Sequence, residues 1–187
     1  MSDITFDMSK NKMEVHQAYA EPWQVTLVDT GETTMTGGRL KRVASYIGEE
    51  DFCFTYGDGF ANVDIGKLIQ FHGSQGTLAT VTSVQPPGRF GALDIAHGKI
   101  TGFQEKPEGD GSYINAGFFV LSPRVMDYIE GDTTVFEQEP LTNLVREREL
   151  LAWQHRGFWA CMDTLRDKNY LGELWETGTA PWKIWED

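Results

Sequence analysis

The 187 residues carry 28 Asp and Glu against 16 Lys and Arg, a formal net charge of −12. Such an acidic surface excludes an extended nucleic-acid interface, which needs a basic stripe, and no run reaches the ~18 apolar residues of a membrane-spanning helix. The length suits a single domain, residues 1–187, whose core the 11 Phe, 6 Trp and 6 Tyr are sufficient to fill.

Residues 1–22 read as irregular or short extended pieces ending at Glu21-Pro22. Met1–Lys10 has no apolar stretch of the kind a signal peptide requires, so the cytoplasm is the default expectation. Gln24–Asp29 is β-branched enough to predict a strand. A polar loop follows to Gly38 and contains Thr36-Gly37-Gly38-Arg39. Leu40, Val43 and Ile47 then recur at helical spacing. Arg39, Lys41 and Arg42 stand near the start of that helix, where positive charge opposes the helix dipole. Two explanations carry equal weight. An anion is held by the glycines and the N–H groups at that end, or the residues form a solvated basic face.

Phe52–Tyr56 is an apolar, β-rich run of the length of a buried strand, and it stops at Gly57-Asp58-Gly59. An aspartate there sits at the carboxyl end of a strand, the edge where open α/β sheets bind ligands. Taken alone, an ordinary Asp-Gly turn is the commoner explanation. Asp64 is a predicted N-cap for a helix bearing Ile65, Leu68, Ile69 and His72, closed by Gly73 and Gly76. Thr77–Val84 is the next strand. The alternation of strand and helix predicts an α/β fold with a largely parallel sheet.

Pro86–Arg89 interrupts the pattern. Phe90–Ile95 and Lys99–Gln104 read as shorter strands about the turn Ala96-His97-Gly98. Pro107 prevents further pairing, which leaves Glu105 and Lys106 at a strand mouth. Ile114–Leu121 is the most apolar strand, yet it contains Asn115. A buried Asn needs a partner, either neighbouring backbone, slightly preferred, or a ligand hydroxyl. Ser122-Pro123 opens a short helix through Ile129, and Asp132, Thr133 and Thr134 offer N-caps for a helix over Glu137–Arg148. Leu150–Arg156 and Phe158–Cys161 are short strands. Asp163-Thr164 caps a last helix with Leu165, Tyr170, Leu171 and Leu174, and Trp182 and Trp185 are expected to dock on the domain or on a partner. The two cysteines, Cys53 and Cys161, read as small buried side chains or thiols, and the four histidines show no metal-ligand spacing.

Asp58 and Asp163 each follow a short apolar strand and precede a turn or helix, so they are expected to meet at one sheet edge. Mg²⁺ held by one or two carboxylates completes its shell with phosphates and water. Arg39 and Lys106 supply cations for phosphates, and Asn115 a group for a hydroxyl. Together these suit phosphoryl or nucleotidyl transfer, which works by positioning and charge neutralisation.

The blocks Thr26–Gly31, Met35–Val43, Phe54–Gly59, Pro86–Leu93, Phe103–Pro107, Gly157–Trp159 and Met162–Asp167 resemble the glucose-1-phosphate cytidylyltransferase family of sugar nucleotidyltransferases, over essentially the whole chain. The resemblance implies a Rossmann-like nucleotidyltransferase domain with a mixed, mostly parallel sheet, and a reaction joining CTP and glucose 1-phosphate into CDP-glucose and pyrophosphate. It implies Asp58 and Asp163 as Mg²⁺ ligands and puts Thr36, Arg39 and Gly57 near the nucleotide. Glu105 and Lys106 would hold the sugar and its phosphate, with Asn115 near the sugar hydroxyls. The expected assembly is a homo-oligomer with no nucleic-acid or membrane partner. The family's opening strand and its G-x-G-T-R loop do not occur in these residues, so the chain is expected to be truncated at the N-terminus and impaired alone. The alternatives are a non-catalytic sugar-phosphate-binding remnant that assembles with a full-length partner, and a metal-dependent glycosyltransferase. The latter ordinarily shows D-x-D where this chain has Gly57-Asp58-Gly59.

Overall fold

The computed structural model describes residues 4–16, 23–86, 92–104 and 112–185. It opens with a hairpin of β1 (Ile4–Asp7) and β2 (Lys12–Val15). The strand expected at Gln24–Asp29 is absent. Val25 is 71% and Leu27 92% exposed, and β-branched composition alone does not make a strand without a neighbouring ladder to satisfy its backbone. The helix expected next is broken at Val43 into α1 (Thr36–Arg42) and α2 (Ala44–Ile47).

β3 (Phe52–Thr55) is not buried on both faces as expected. Phe52 and Phe54 turn inward while Cys53 and Thr55 are exposed, because β3 lies at one end of the sheet. After the Gly57-Asp58 turn the chain forms β4 (Gly59–Ala61), which the sequence reading missed. α3 (Ile65–Gln75) begins as expected at Asp64, whose Oδ1 accepts from the Lys67 N–H at 3.0 Å. It ends at Gly76 in the left-handed region, while Gly73 lies within it. β5 (Ala79–Val84) follows. β6 (Ala92–Ala96) and β7 (Lys99–Gln104) form a hairpin through His97 (φ 50°) and Gly98 (φ 77°).

β8 (Ile114–Leu121) leads through the Ser122 cap into a 3-10 helix at Pro123–Tyr128. α4 (Glu139–Arg146) starts two residues later than expected and has no side-chain cap. Asp132, offered as a cap, instead accepts from two nitrogens of the Arg42 guanidinium, Nε and Nη2, at 2.8 and 2.6 Å. β9 (Leu150–Gln154) and β10 (Trp159–Cys161) precede α5 (Leu165–Glu176), where Thr164 and Asp167 form a reciprocal capping box.

The central sheet has the order β3-β8-β5-β9. β8 runs antiparallel to β3 and β5, and β5 runs parallel to β9. Three strands therefore share one direction and β8 opposes them, a mixed sheet in an α/β fold. Along β8, Phe119 and Leu121 enter a core with Leu40, Val125, Phe136 and Leu144, whereas Val120 faces Leu68 of α3. That alternation is the strand's period of two, and it puts helices on both faces. Trp182 packs on Phe60 and Phe158, with centroids 5.2 and 5.5 Å apart, so the tail docks on the domain.

Candidate active site

Beyond the carboxyl end of β3 the chain turns at Gly57-Asp58 and pairs β4 antiparallel with β10. The ladder continues past its last register pair: the Met162 N–H donates to the Asp58 carbonyl at 2.9 Å. Asp58 is thus bonded through its backbone to the residue preceding Asp163, and both aspartates are exposed. The sequence reading put them at one edge, and the structure brings their backbones together there. One oxygen of Asp163 accepts from the Cys161 thiol at 3.0 Å. Among the described residues no group of three His, Cys, Asp or Glu forms a metal cluster. Two exposed carboxylates on paired strand ends nonetheless match the share of Mg²⁺ ligands a protein supplies when phosphates and water complete the shell. A side chain at Gly57 would meet nothing within 4 Å, so packing does not require glycine there.

The start of α1 is built differently from the anion site considered above. The N–H groups of Gly37 and Gly38 both donate to the Thr134 carbonyl, at 3.0 and 3.3 Å, and Met35 N–H donates to Asp132 at 2.8 Å. A Cβ on Gly38 would stand 2.6 Å from the Asp132 Cα, and one on Gly37 2.8 Å from the Thr134 oxygen. The two glycines serve close backbone approach. The basic residues are likewise engaged. Arg42 pairs with Asp132, and Lys41 donates to the Ile129 carbonyl. Arg39 donates to the Thr30 hydroxyl at 2.7 Å and to the Glu32 carbonyl at 3.1 Å. All three are exposed, and Arg39 meets only the 30–32 loop; none of these contacts joins it to Asp58.

Thr36 and Asn115 are joined through two residues that the sequence reading did not single out. The Thr36 hydroxyl donates to Glu137 at 2.6 Å and accepts the Phe136 N–H at 2.9 Å. The Tyr56 hydroxyl donates to the other Glu137 oxygen at 2.5 Å. Asn115 is exposed rather than buried; its Oδ1 accepts the Gly117 N–H at 2.8 Å, the local backbone partner preferred above, and its Nδ2 points at the Tyr56 hydroxyl at 3.4 Å. Burial, and then the bond to Glu137, push the Tyr56 phenol well above its ordinary value. Glu105 and Lys106 lie outside the described residues. A cleft of about 460 Å³ opens where β5 and β9 end, between Gln85, Tyr113, His155, Arg156 and Trp159. Of its lining, Pro86, Gly157 and Trp159 fall in blocks that the sequence had singled out.

A family model described as nucleotidyl transferase matches residues 4–170. The chain belongs to the nucleotidyl transferase family. This nucleotidyl transferase is 60% identical over 187 residues to the glucose-1-phosphate cytidylyltransferase of Salmonella typhimurium, covering 100% of its own length and 73% of the relative. It is 33% identical over 166 residues to a mannose-1-phosphate guanyltransferase of Emericella nidulans, covering 82% of the chain and 44% of that relative. In fold it is similar to HddC from Yersinia pseudotuberculosis, with a TM-score of 0.56 and 23% identity over 77% of this chain and 64% of that one. The mixed sheet and its flanking helices are thus those of a nucleotidyl transferase. No helix among its described residues is long and apolar enough to cross a membrane.

Proposed function

We propose that the chain acts as a glucose-1-phosphate cytidylyltransferase, joining CTP and glucose 1-phosphate into CDP-glucose and pyrophosphate. In that reaction a phosphate oxygen of glucose 1-phosphate attacks the α-phosphorus of CTP. The bond between the α- and β-phosphates breaks, and pyrophosphate leaves with the electron pair. The observation that carries this reading is the β4–β10 ladder, which ties Asp58 to the strand end bearing Asp163, in a chain 60% identical to the Salmonella enzyme.

Asp58 and Asp163 are the proposed Mg²⁺ ligands. Mg²⁺ would neutralise charge developing on the phosphates and orient them. Gly57 would let the nucleotide approach the backbone, and Lys106 would hold the sugar phosphate, with Glu105 and Asn115 on sugar hydroxyls. Arg39 would face the nucleotide after leaving the Thr30 hydroxyl and the Glu32 carbonyl. Residues 1–187 hold no glycine-rich phosphate-cradling loop. Losing even one preorganised donor to a developing charge costs about 10²–10³ in rate, so these residues by themselves are proposed to bind glucose 1-phosphate but to turn over slowly.

A pyrophosphate-release assay with CTP, glucose 1-phosphate and Mg²⁺, run beside calorimetric binding of each substrate, tests this. The expected result is Mg²⁺-dependent binding with slow turnover. Turnover equal to that of the Salmonella relative would overturn the impairment, and failure to bind glucose 1-phosphate would overturn the assignment. A cytoplasmic homo-oligomer is the proposed working form.

A further inference from the structure

Glu137 is a half-buried carboxylate between the fully buried Phe136 and the exposed Gln138. Each of its oxygens accepts one hydroxyl, Thr36 on one side and Tyr56 on the other. Among the described residues it makes no ion pair. Taking a carboxylate partly out of water without a cation is unfavourable, and two neutral donors offset only part of the loss. Nothing in the core demands this arrangement, since Phe136 already anchors the segment.

The two hydroxyls belong to opposite sides of the proposed site. Thr36 is the first residue of α1, on the side proposed for the nucleotide. Tyr56 directly precedes Gly57-Asp58, and its hydroxyl meets Asn115 on the side proposed for the sugar. The Tyr56 ring is itself wedged. Gly117 lies under it with φ 84°, and a Cβ there would stand 2.6 Å from the Tyr56 Cδ2. The ring cannot shift toward β8, so its hydroxyl is aimed at Glu137 by packing.

We infer that Glu137 is a positioning residue that sets the spacing between the nucleotide side, through Thr36, and the sugar side, through Tyr56. The inference rests on the functional reading above. Glu137 touches no reacting atom. It fixes the start of α1 against the end of β3, and with it the turn that carries Asp58. A misplacement of about 1 Å between reacting groups can cost about 10²-fold in rate, so a carboxylate that locks two elements together earns a measurable effect without contacting substrate.

The test uses Glu137→Gln, which keeps size but turns one acceptor into a donor, with Tyr56→Phe and the double variant. Affinity for glucose 1-phosphate and for CTP is measured by calorimetry well below the unfolding transition. Each single variant is expected to weaken both ligands about tenfold, and the double variant no more than either alone, because the two changes break the same clamp. A second readout is the split between KM and kcat in the pyrophosphate-release assay: the same variants should lower kcat as well as raise KM for both substrates, because the clamp sets the geometry of the reacting groups.

A kcat equal to that of the wild type in folded variants would overturn the inference. So would wild-type affinities for both ligands in folded variants. If the wild type itself binds neither substrate, the functional reading fails and this inference falls with it.

Discussion

Replacing Gly38 by alanine asks whether the paired glycines of α1 serve packing. In an exposed helix the change would stabilise, since alanine is about 1 kcal/mol better than glycine. At this position the new Cβ would lie 2.6 Å from the Asp132 Cα, 2.7 Å from its carbonyl oxygen and 2.8 Å from Thr34 Cγ2. Two of those atoms are backbone and cannot rotate away. Overpacking costs about 1–3 kcal/mol. Pushing the helix back also stretches the bonds of Gly37 and Gly38 to Thr134, each worth about 0.5–1.5 kcal/mol. The net is a loss of about 1–4 kcal/mol. With a urea slope of about 2 kcal/mol/M, the unfolding midpoint should fall by roughly 0.5–2 M. Gly73→Ala is the control, because it lies in α3 with nothing within 4 Å of its would-be Cβ, and it should raise stability by about 0.5–1 kcal/mol. If Gly38→Ala proved neutral or stabilising, the close approach of α1 to the 132–134 segment would not exist.

Leu144→Ala, at a side chain with no exposed surface, should cost about 2–5 kcal/mol in urea unfolding; a loss under 1 kcal/mol would contradict its place in the core. The Tyr56 phenol titrates higher in the folded protein than its ordinary value of 10.0. Unfolded Tyr56 therefore loses its proton first as pH rises, and its contribution to stability is complete below pH about 10 and declines above it. Thermal melts between pH 9 and 11 should show a shallower alkaline decline in Tyr56→Phe than in the wild type, and identical slopes would refute the shift. Lys106→Ala should weaken glucose 1-phosphate far more than CTP, by about 1.5–3 kcal/mol for a charge-assisted contact, and equal affinities in calorimetry would remove Lys106 from the sugar-phosphate role.

The parts of the fold that were legible in the sequence are those in which a local pattern decides the structure. The Asp64 cap, the His97-Gly98 hairpin and β8 all have signals within a few residues. Gln24–Asp29 had the composition of a strand but not the neighbour that a strand requires, which no local pattern reveals. The start of α1 misled for a related reason. Gly-Gly with nearby cations has the look of an anion cradle, yet its N–H groups point at a backbone carbonyl about a hundred residues away in the chain. Asp58 and Asp163 were paired from their shared setting after short strands. Glu137 was missed because its role comes from Thr36 and Tyr56, 101 and 81 residues distant, and its own neighbours, Phe136 and Gln138, say nothing of either.

The strand order β3-β8-β5-β9 has a consequence for how the chain folds. No two neighbours in that sheet are consecutive in sequence, so none of its ladders can begin as a local hairpin. The hairpins that can form quickly, β1–β2 and β6–β7, lie outside the central sheet and bring no strand to it. β8 pairs with both β3 and β5 and so joins most of the sheet, and loops closed before any such contact is rewarded slow the search. A folding nucleus centred on β8 would show as refolding rates that respond most to changes at Phe119 and Val120, with the two peripheral hairpins altering chiefly the unfolding rate.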